Sequence, residues 1–311
     1  MRRLHPFVAA AFAALVLATL APCGAAAQAW TGAGVPVCTA DGLQDNVRGV
    51  SDGAGGAFIG WSDQRAGTLG RDVYVQHLGG DGAPAPGWPV NGLAICQAVG
   101  EQLLFSMAPD GTGGVYLAWE DYRAGAVADI YGHHVLADGS LAAGWPADGL
   151  AICDFLGHQG DPELVPDGGS GVFCVWTDAR TSAFSKRDVY AQHLLLDGSA
   201  AAGWADDGMR VDGARADDSE PSLAPDGGGG LFVTWTHGLT GGGADISAQH
   251  LGANGLPAEW PRTASLSSPR WSASALASSP HETIVRPGFG SERPMPGRSV
   301  VMTRAMLPSI G

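Results

Sequence analysis

The chain has 311 residues, and its 31 Asp and Glu against 17 Lys and Arg give a formal charge of −14, which argues against nucleic acid or an anionic membrane as partner. No apolar run reaches the roughly 20 residues a bilayer-spanning helix needs, so a transmembrane protein is not expected. Five cysteines occur without a C-x-x-C or Cys/His spacing, which gives no sign of a zinc module.

Residues 1–29 read as a secretory signal. Arg2 and Arg3 open it, an apolar run extends from Val8 to Ala21, and Ala25, Ala26, Ala27 and Ala29 supply small residues for cleavage. The expected location is secreted or extracellular. Leu20-Ala21-Pro22-Cys23 loosely matches a bacterial lipoprotein box, but Pro22 fits that box poorly, so a periplasmic or lipid-anchored chain ranks lower.

Residues 30–261 repeat one unit four times. Its clearest marker is Trp-x-Asp-x-Arg, with Trp61, Asp63 and Arg65, then Trp119, Asp121 and Arg123, then Trp176, Asp178 and Arg180, and finally an eroded copy at Trp235-Thr236-His237-Gly238-Leu239. The tryptophans are spaced by 58, 57 and 59 residues. In the same register lie Asp72-Val73-Tyr74-Val75-Gln76-His77 and its counterparts ending in His134, His193 and His250. A repeat of this length signals an array or ring of supersecondary units. Within it nine Lys and Arg stand against 29 Asp and Glu, a balance better explained by a solvated surface than by a cation site.

The third copy divides into four strand-length segments. Pro162 to Val165 forms the first, and Asp167-Gly168-Gly169 makes a tight turn. Gly171 to Thr177 is continuously apolar and reads as a strand buried on both faces. Asp188 to Leu195 is the third strand, and Gly203-Trp204 to Val211 the fourth. Four antiparallel strands per unit with glycine-rich turns predict an all-β fold, a β-propeller of about four four-stranded blades. The chain also begins in mid-unit, because Trp30 to Cys38 matches Trp88 to Cys96, so this opening segment is expected to complete the last blade and close the ring.

Residues 262–311 change character, with six Arg against two Glu and a composition rich in Ser and Pro. Two readings stand: a disordered tail, or a frame-shifted or truncated extension of a larger propeller.

The units Asp-Gly-x-Gly-Gly, Trp-x-Asp-x-Arg, Asp-Val/Ile-Tyr-x-Gln-His and Gly-Leu-Ala-Ile-Cys resemble the repeats of secreted bacterial proteins of uncharacterised function. Those proteins are in turn similar to sialidase-like propellers of the BNR or Asp-box type. The resemblance covers residues 30–261 and implies a propeller. It departs from the Asp-box in spacing, since Asp52, Asp110, Asp167 and Asp226 each precede their tryptophan by nine residues, so it implies no catalytic residue here.

Repetition guides the candidate chemistry. Residues that recur in every copy are expected to hold blades together, which assigns Trp61, Asp63, Arg65, Trp119, Asp121, Arg123, Trp176, Asp178, Arg180 and Trp235 to structure. The recurring histidines sit too far out on the third strand to share an ion at about 2 Å, so packing or hydrogen bonding is expected of them. Cys38, Cys96 and Cys153 share one repeat position in different units, and bridging needs Cα atoms within about 7 Å, so free buried thiols are expected. No metal and no cofactor is expected.

Gln44, Gln102, Gln159 and Asp218 each lie eight before a turn aspartate, where the chain reaches the innermost strand. With Asp161, Asp217 and Glu220 they form the candidate small-ligand site, against a competing role in satisfying backbone groups. Lacking an asymmetric set of acids, bases or a nucleophile, the favoured function is a non-catalytic extracellular binding or structural module for a glycan or protein ligand. The alternative is a sialidase-like glycoside hydrolase or lyase with its acidic pair drawn from Asp154, Glu163, Asp217 and Glu220. A third reading is a fragment of a larger surface protein.

Overall fold

A computed structural model describes residues 32–258, apart from 66–69, 170, 181–185, 213–216 and 240. The signal-like segment, Trp30, Cys23 and residues 262–311 lie outside the described residues. The described chain is all-β, and among the described residues no helix is long and apolar enough to cross a membrane. Blade 1 consists of β1 (Gln44–Ser51), β2 (Ala57–Asp63), β3 (Asp72–Leu78) and β4 (Leu93–Cys96). Blade 2 has β5 (Gln102–Pro109), β6 (Val115–Asp121), β7 (Asp129–Val135) and β8 (Leu150–Cys153). Blade 3 has β9 (Gln159–Pro166), β10 (Val172–Asp178), β11 (Asp188–Leu194) and β12 (Met209–Arg210), and blade 4 has β13 (Asp218–Pro225), β14 (Leu231–Gly238) and β15 (Ala244–Leu251). Each sheet is antiparallel and sequential, and the first strands pack serially, β1 on β5, β5 on β9 and β9 on β13.

The apolar run at β10 is buried along its whole length, as its lack of alternation requires. Two boundaries differ from the sequence reading. The first strand of blade 3 begins at Gln159 rather than Pro162, and the fourth pairs at Met209–Arg210 rather than from Gly203, with Trp204 lying before the strand and bonded to the next blade. The turn aspartates build the hairpins. Asp167 Oδ1 accepts the N–H groups of Gly169 and Gly171 at 2.7 and 3.1 Å, and its Oδ2 lies 2.9 Å from His193 Nε2 on β11. The same contact recurs for His77 with Asp52, His134 with Asp110 and His250 with Asp226 at 2.8–2.9 Å. Each recurring histidine thus ties its third strand to the first turn of its own blade.

Two tryptophan series join the blades. Trp88, Trp145 and Trp204 donate their indole N–H to Ala137, Leu196 and Ala253 of the following blade at 2.8–3.2 Å. Trp61, Trp119 and Trp176 donate to Asp63, Asp121 and Asp178 at 2.7–3.0 Å. On the same carboxylates close Arg65, Arg123 and Arg180 at 2.6–2.7 Å, and each guanidinium also donates to the carbonyl of Asn91, Asp148 or Asp207 at 2.6–2.8 Å. Cys96 and Cys153 of the preceding blade complete these knots, 3.9 and 3.8 Å from Asp121 and Asp178. The cysteines are free, and burial pushes the Cys96 and Cys153 thiols up to about 12. They are neutral, and beyond filling apolar space they accept from Arg123 and Arg180 at 3.4 and 3.0 Å.

The expected closure is corrected. Cys38 and Thr39 dock on blade 1 as Cys96 and Gln97 dock on blade 2, with Thr39 N–H donating to Asn91 at 2.8 Å. However, residues 32–40 form no strand, and among the described residues β15 has no fourth-strand partner. Ile246 is consequently 78% exposed, whereas its counterparts Val73, Ile130 and Val189 are each 0% exposed.

Candidate active site

The inner strands carry the departures from symmetry. Each first strand shifts register against its neighbour, between Asp45 and Arg48 on β1, between Leu104 and Ser106 on β5, opposite Val175 and Thr177 on β9, and between Ser219 and Ser222 on β13. In three blades the bulge places a non-glycine residue in the left-handed region, with Asn46 at φ 50°, Asp161 at 55° and Glu220 at 53°. Such positions each cost on the order of 1–3 kcal/mol and persist where the surrounding contacts enforce them. Glu120 Oε1 accepts the Asp161 N–H at 3.0 Å and is itself bonded by Tyr122 Oη at 3.1 Å through Oε2, so blade 2 clamps the bulge of blade 3.

The bulges of blades 3 and 4 open onto a cavity of about 540 Å³ lined by Asp161, Glu163, Arg187, Ser219, Glu220 and Pro221. Asp161 Oδ2 accepts the Thr177 hydroxyl at 3.3 Å and lies 3.7 Å from Arg187, which also reaches Asp217 at 3.4 Å. Glu220 Oε2 accepts the Thr236 hydroxyl at 2.9 Å, so the two carboxylates are held by threonines at equivalent positions of their blades. Glu163 is raised above the usual glutamate range because the surrounding protein desolvates it; the charge of Arg48 on β1 opposes this shift, and that of Asp161 adds to it. A carboxyl group whose charged form is disfavoured by desolvation, beside one fixed by hydrogen bonds and an arginine, is an arrangement suited to acid–base chemistry at a polar substrate.

Of the sequence candidates, the cavity brings together Asp161, Glu163 and Glu220, with Asp217 reached through Arg187. It leaves out Gln44, Gln102, Gln159, Asp218 and Asp154. Gln159 donates to the Phe155 carbonyl at 3.0 Å and Gln44 to that of Asp41 at 3.3 Å, while the Gln102 amide faces the carbonyls of Arg71 and Ala98 at 2.9 and 3.1 Å. Asp154 sits at the joint between blades 2 and 3, where its N–H donates to Asp207 at 3.2 Å and its charge acts on Asp129. Repetition does not mark Glu120, Arg187 or Ser219. A signal for the site exists all the same in the register four residues after Gln44, where the copies read Arg48, Ser106, Glu163 and Ser222 although the strand starts alike at Gln44, Gln102 and Gln159.

Asp218 instead joins a second cluster at the joint between blades 3 and 4. There His237 takes the place of Asp178, Asp212 that of Cys153, Asp218 that of Gln159 and Leu239 that of Arg180. His237 Nδ1 lies 2.8 Å from Asp218 Oδ1, and burial followed by the charge of Asp212 pushes Asp218 up to about 6. Deprived of its aspartate, Trp235 Nε1 is buried without a hydrogen-bond partner among the described residues.

No family model and no curated protein matches this chain. Solved structures do. An endo-arabinase from Bacteroides thetaiotaomicron VPI-5482 is 14% identical with a TM-score of 0.39, covering 68% of this chain and 76% of its own. The Penicillium chrysogenum alpha-L-arabinanase complexed with arabinobiose is 13% identical with a TM-score of 0.42, covering 67% of this chain, which spans only 62% of that enzyme. A levansucrase variant from B. megaterium is 12% identical with a TM-score of 0.40, covering 69% of each chain. The likeness is one of fold. The expectation of a non-catalytic binding or structural module is nevertheless corrected, because its ground, the lack of an asymmetric set of acids, fails in the molecule itself, where Asp161, Glu163 and Glu220 line one cavity.

Proposed function

We propose that this propeller is a glycoside hydrolase acting on an extracellular glycan. The reading is carried by the cavity at the inner strands of blades 3 and 4, where three carboxylates from non-repeated positions converge beside Arg187. Glycoside hydrolysis needs a protonated carboxyl group to release the leaving oxygen and a second carboxylate to activate water or attack the sugar. Glu163, whose pKa is raised by its surroundings, is the proton donor. Asp161, fixed by Thr177, Arg187 and the Glu120 clamp on its backbone, is the second carboxylate. Glu220 and Ser219 line the same cavity and would supply hydrogen-bond partners for sugar hydroxyls. An extracellular substrate agrees with the signal-like segment at 1–29.

The test is release of reducing sugar from a panel of arabinan, xylan, fructan and sialylated glycans by the purified chain, alongside Glu163→Gln and Asp161→Asn. Activity on one polysaccharide that falls by roughly 10²–10⁴-fold in Glu163→Gln supports the assignment. Absence of turnover on the whole panel, or turnover indifferent to both substitutions, would sink it.

A further inference from the structure

We propose that Asp212, Asp218 and His237 form a binding site for one divalent transition-metal ion of the zinc class, at the joint between blades 3 and 4. A carboxylate oxygen of each aspartate and one ring nitrogen of His237 all lie within 4.8 Å of one another. Two carboxylates and an imidazole are a donor set for zinc, whereas calcium and magnesium sites are built from oxygen alone.

Independent of that grouping, the cluster contains buried atoms without partners. The Asp218 side chain is 0% exposed and that of Asp212 7% exposed, and among the described residues Oδ2 of each accepts no hydrogen bond. Their other oxygens are engaged, Asp218 Oδ1 with His237 at 2.8 Å and Asp212 Oδ1 with Arg210 at 3.3 Å. A buried carboxylate oxygen aimed at a second carboxylate is costly unless a cation or a shared proton stands between them.

The substitutions themselves form a coordinated set. At the two preceding joints the same positions hold a thiol, an aspartate, a glutamine and an arginine, which neutralise one another internally. Here the arginine is lost to Leu239 just where two carboxylates and an imidazole gather, and the cation that remains, Arg210, is shared with Asp188 and meets Asp212 through Oδ1, which leaves the Oδ2 side of the cluster for an external ion. Residues Ser219 and Glu220 follow directly on Asp218, so the ion also pins the strand that walls the cavity.

The experiment uses the full chain without a histidine tag, stripped with a chelator, titrated with Zn²⁺, Mn²⁺ and Ca²⁺ by calorimetry and followed by thermal melting. Wild type is expected to take up one equivalent of Zn²⁺. At a free concentration roughly 100-fold above Kd the folding equilibrium shifts about 100-fold toward the native state. Asp218→Asn is expected to weaken uptake at least roughly tenfold.

A second variant restores the repeat, combining Asp212→Cys, Asp218→Gln, His237→Asp and Leu239→Arg. It is expected to fold and to melt identically with zinc or chelator. No saturable Zn²⁺ uptake by wild type would overturn the proposal in favour of a proton shared by the two aspartates, and uptake unchanged in both variants would overturn it as well.

Discussion

Arg180 meets Asp178 at 2.7 Å, and its guanidinium carbon lies 4.0 Å from the ring centroid of Tyr190. The aspartate is wholly buried and the arginine nearly so, which makes the pair an anchor between strands rather than a surface ornament. Removing the arginine strands a buried charge, so Arg180→Ala is expected to lower the unfolding free energy by about 3–5 kcal/mol in denaturant titrations. Arg180→Lys should recover only part of this, because a lysine cannot reach Asp178, the Asp207 carbonyl and Cys153 together from one planar fork.

Gly149 supports the equivalent knot of blade 2, built on Trp119, Asp121 and Arg123. It has φ +97°, and a Cβ there would lie 2.4 Å from Trp119 Cζ2, with the ring itself fully buried. Gly149→Ala combines a left-handed side chain with a clash that neither ring nor backbone can relieve, and is expected to cost roughly 2–4 kcal/mol. Thermal melting would show it, with Gly53→Ala as the comparison, since that glycine shares a positive φ but has nothing within 4 Å.

The exposed edge of blade 4 gives a contrast between equivalent residues. Val189→Ala should destabilise by about 2 kcal/mol, because its cavity forms in a closed core. Ile246→Ala, at the same register position but solvent-exposed, should stay within about 0.5 kcal/mol. Equal losses in the two variants would mean that Ile246 is covered in the protein in solution.

Asp129 is buried, and desolvation followed by the charges of Asp154 and Asp121 pushes it up to about 6 from an ordinary 3.8. Its folded form therefore binds the proton more tightly than the unfolded form, so stability falls as pH rises from about 4 through 6. Asp129→Asn is expected to raise the Tm at pH 7.5 and to lose most of that advantage near pH 4. An unchanged Tm at pH 7.5 would contradict the repulsion assigned to this joint.

If Glu163 donates the proton, kcat/KM falls as pH rises through its pKa. Arg48 opposes the upward shift, so Arg48→Ala should move the alkaline limb of the pH profile to higher pH, while Glu163→Gln removes the limb together with the activity. A limb that stays in place in Arg48→Ala would assign it to another group.

The sequence by itself determined the blade, because its signals are local. An Asp-Gly turn, an uninterrupted apolar second strand and a histidine within reach of the turn aspartate all act within some 25 residues, and each recurs in the register where the strands form. It also offered Asp154, Glu163, Asp217 and Glu220 as acids outside the repeat, and Asp161 as a ligand-site candidate, without separating those on the cavity from the rest. Tertiary structure alone decided which acids converge. Asp161 and Glu220 lie on different blades and reach one cavity only because bulges turn both residues inward, and Glu163 gains its raised pKa from protein packed around it. The eroded fourth marker shows the same division. His237 in place of an aspartate reads as decay along the chain, but folding sets it against Asp218 and Asp212, whose side chains meet only when blade 4 packs on blade 3.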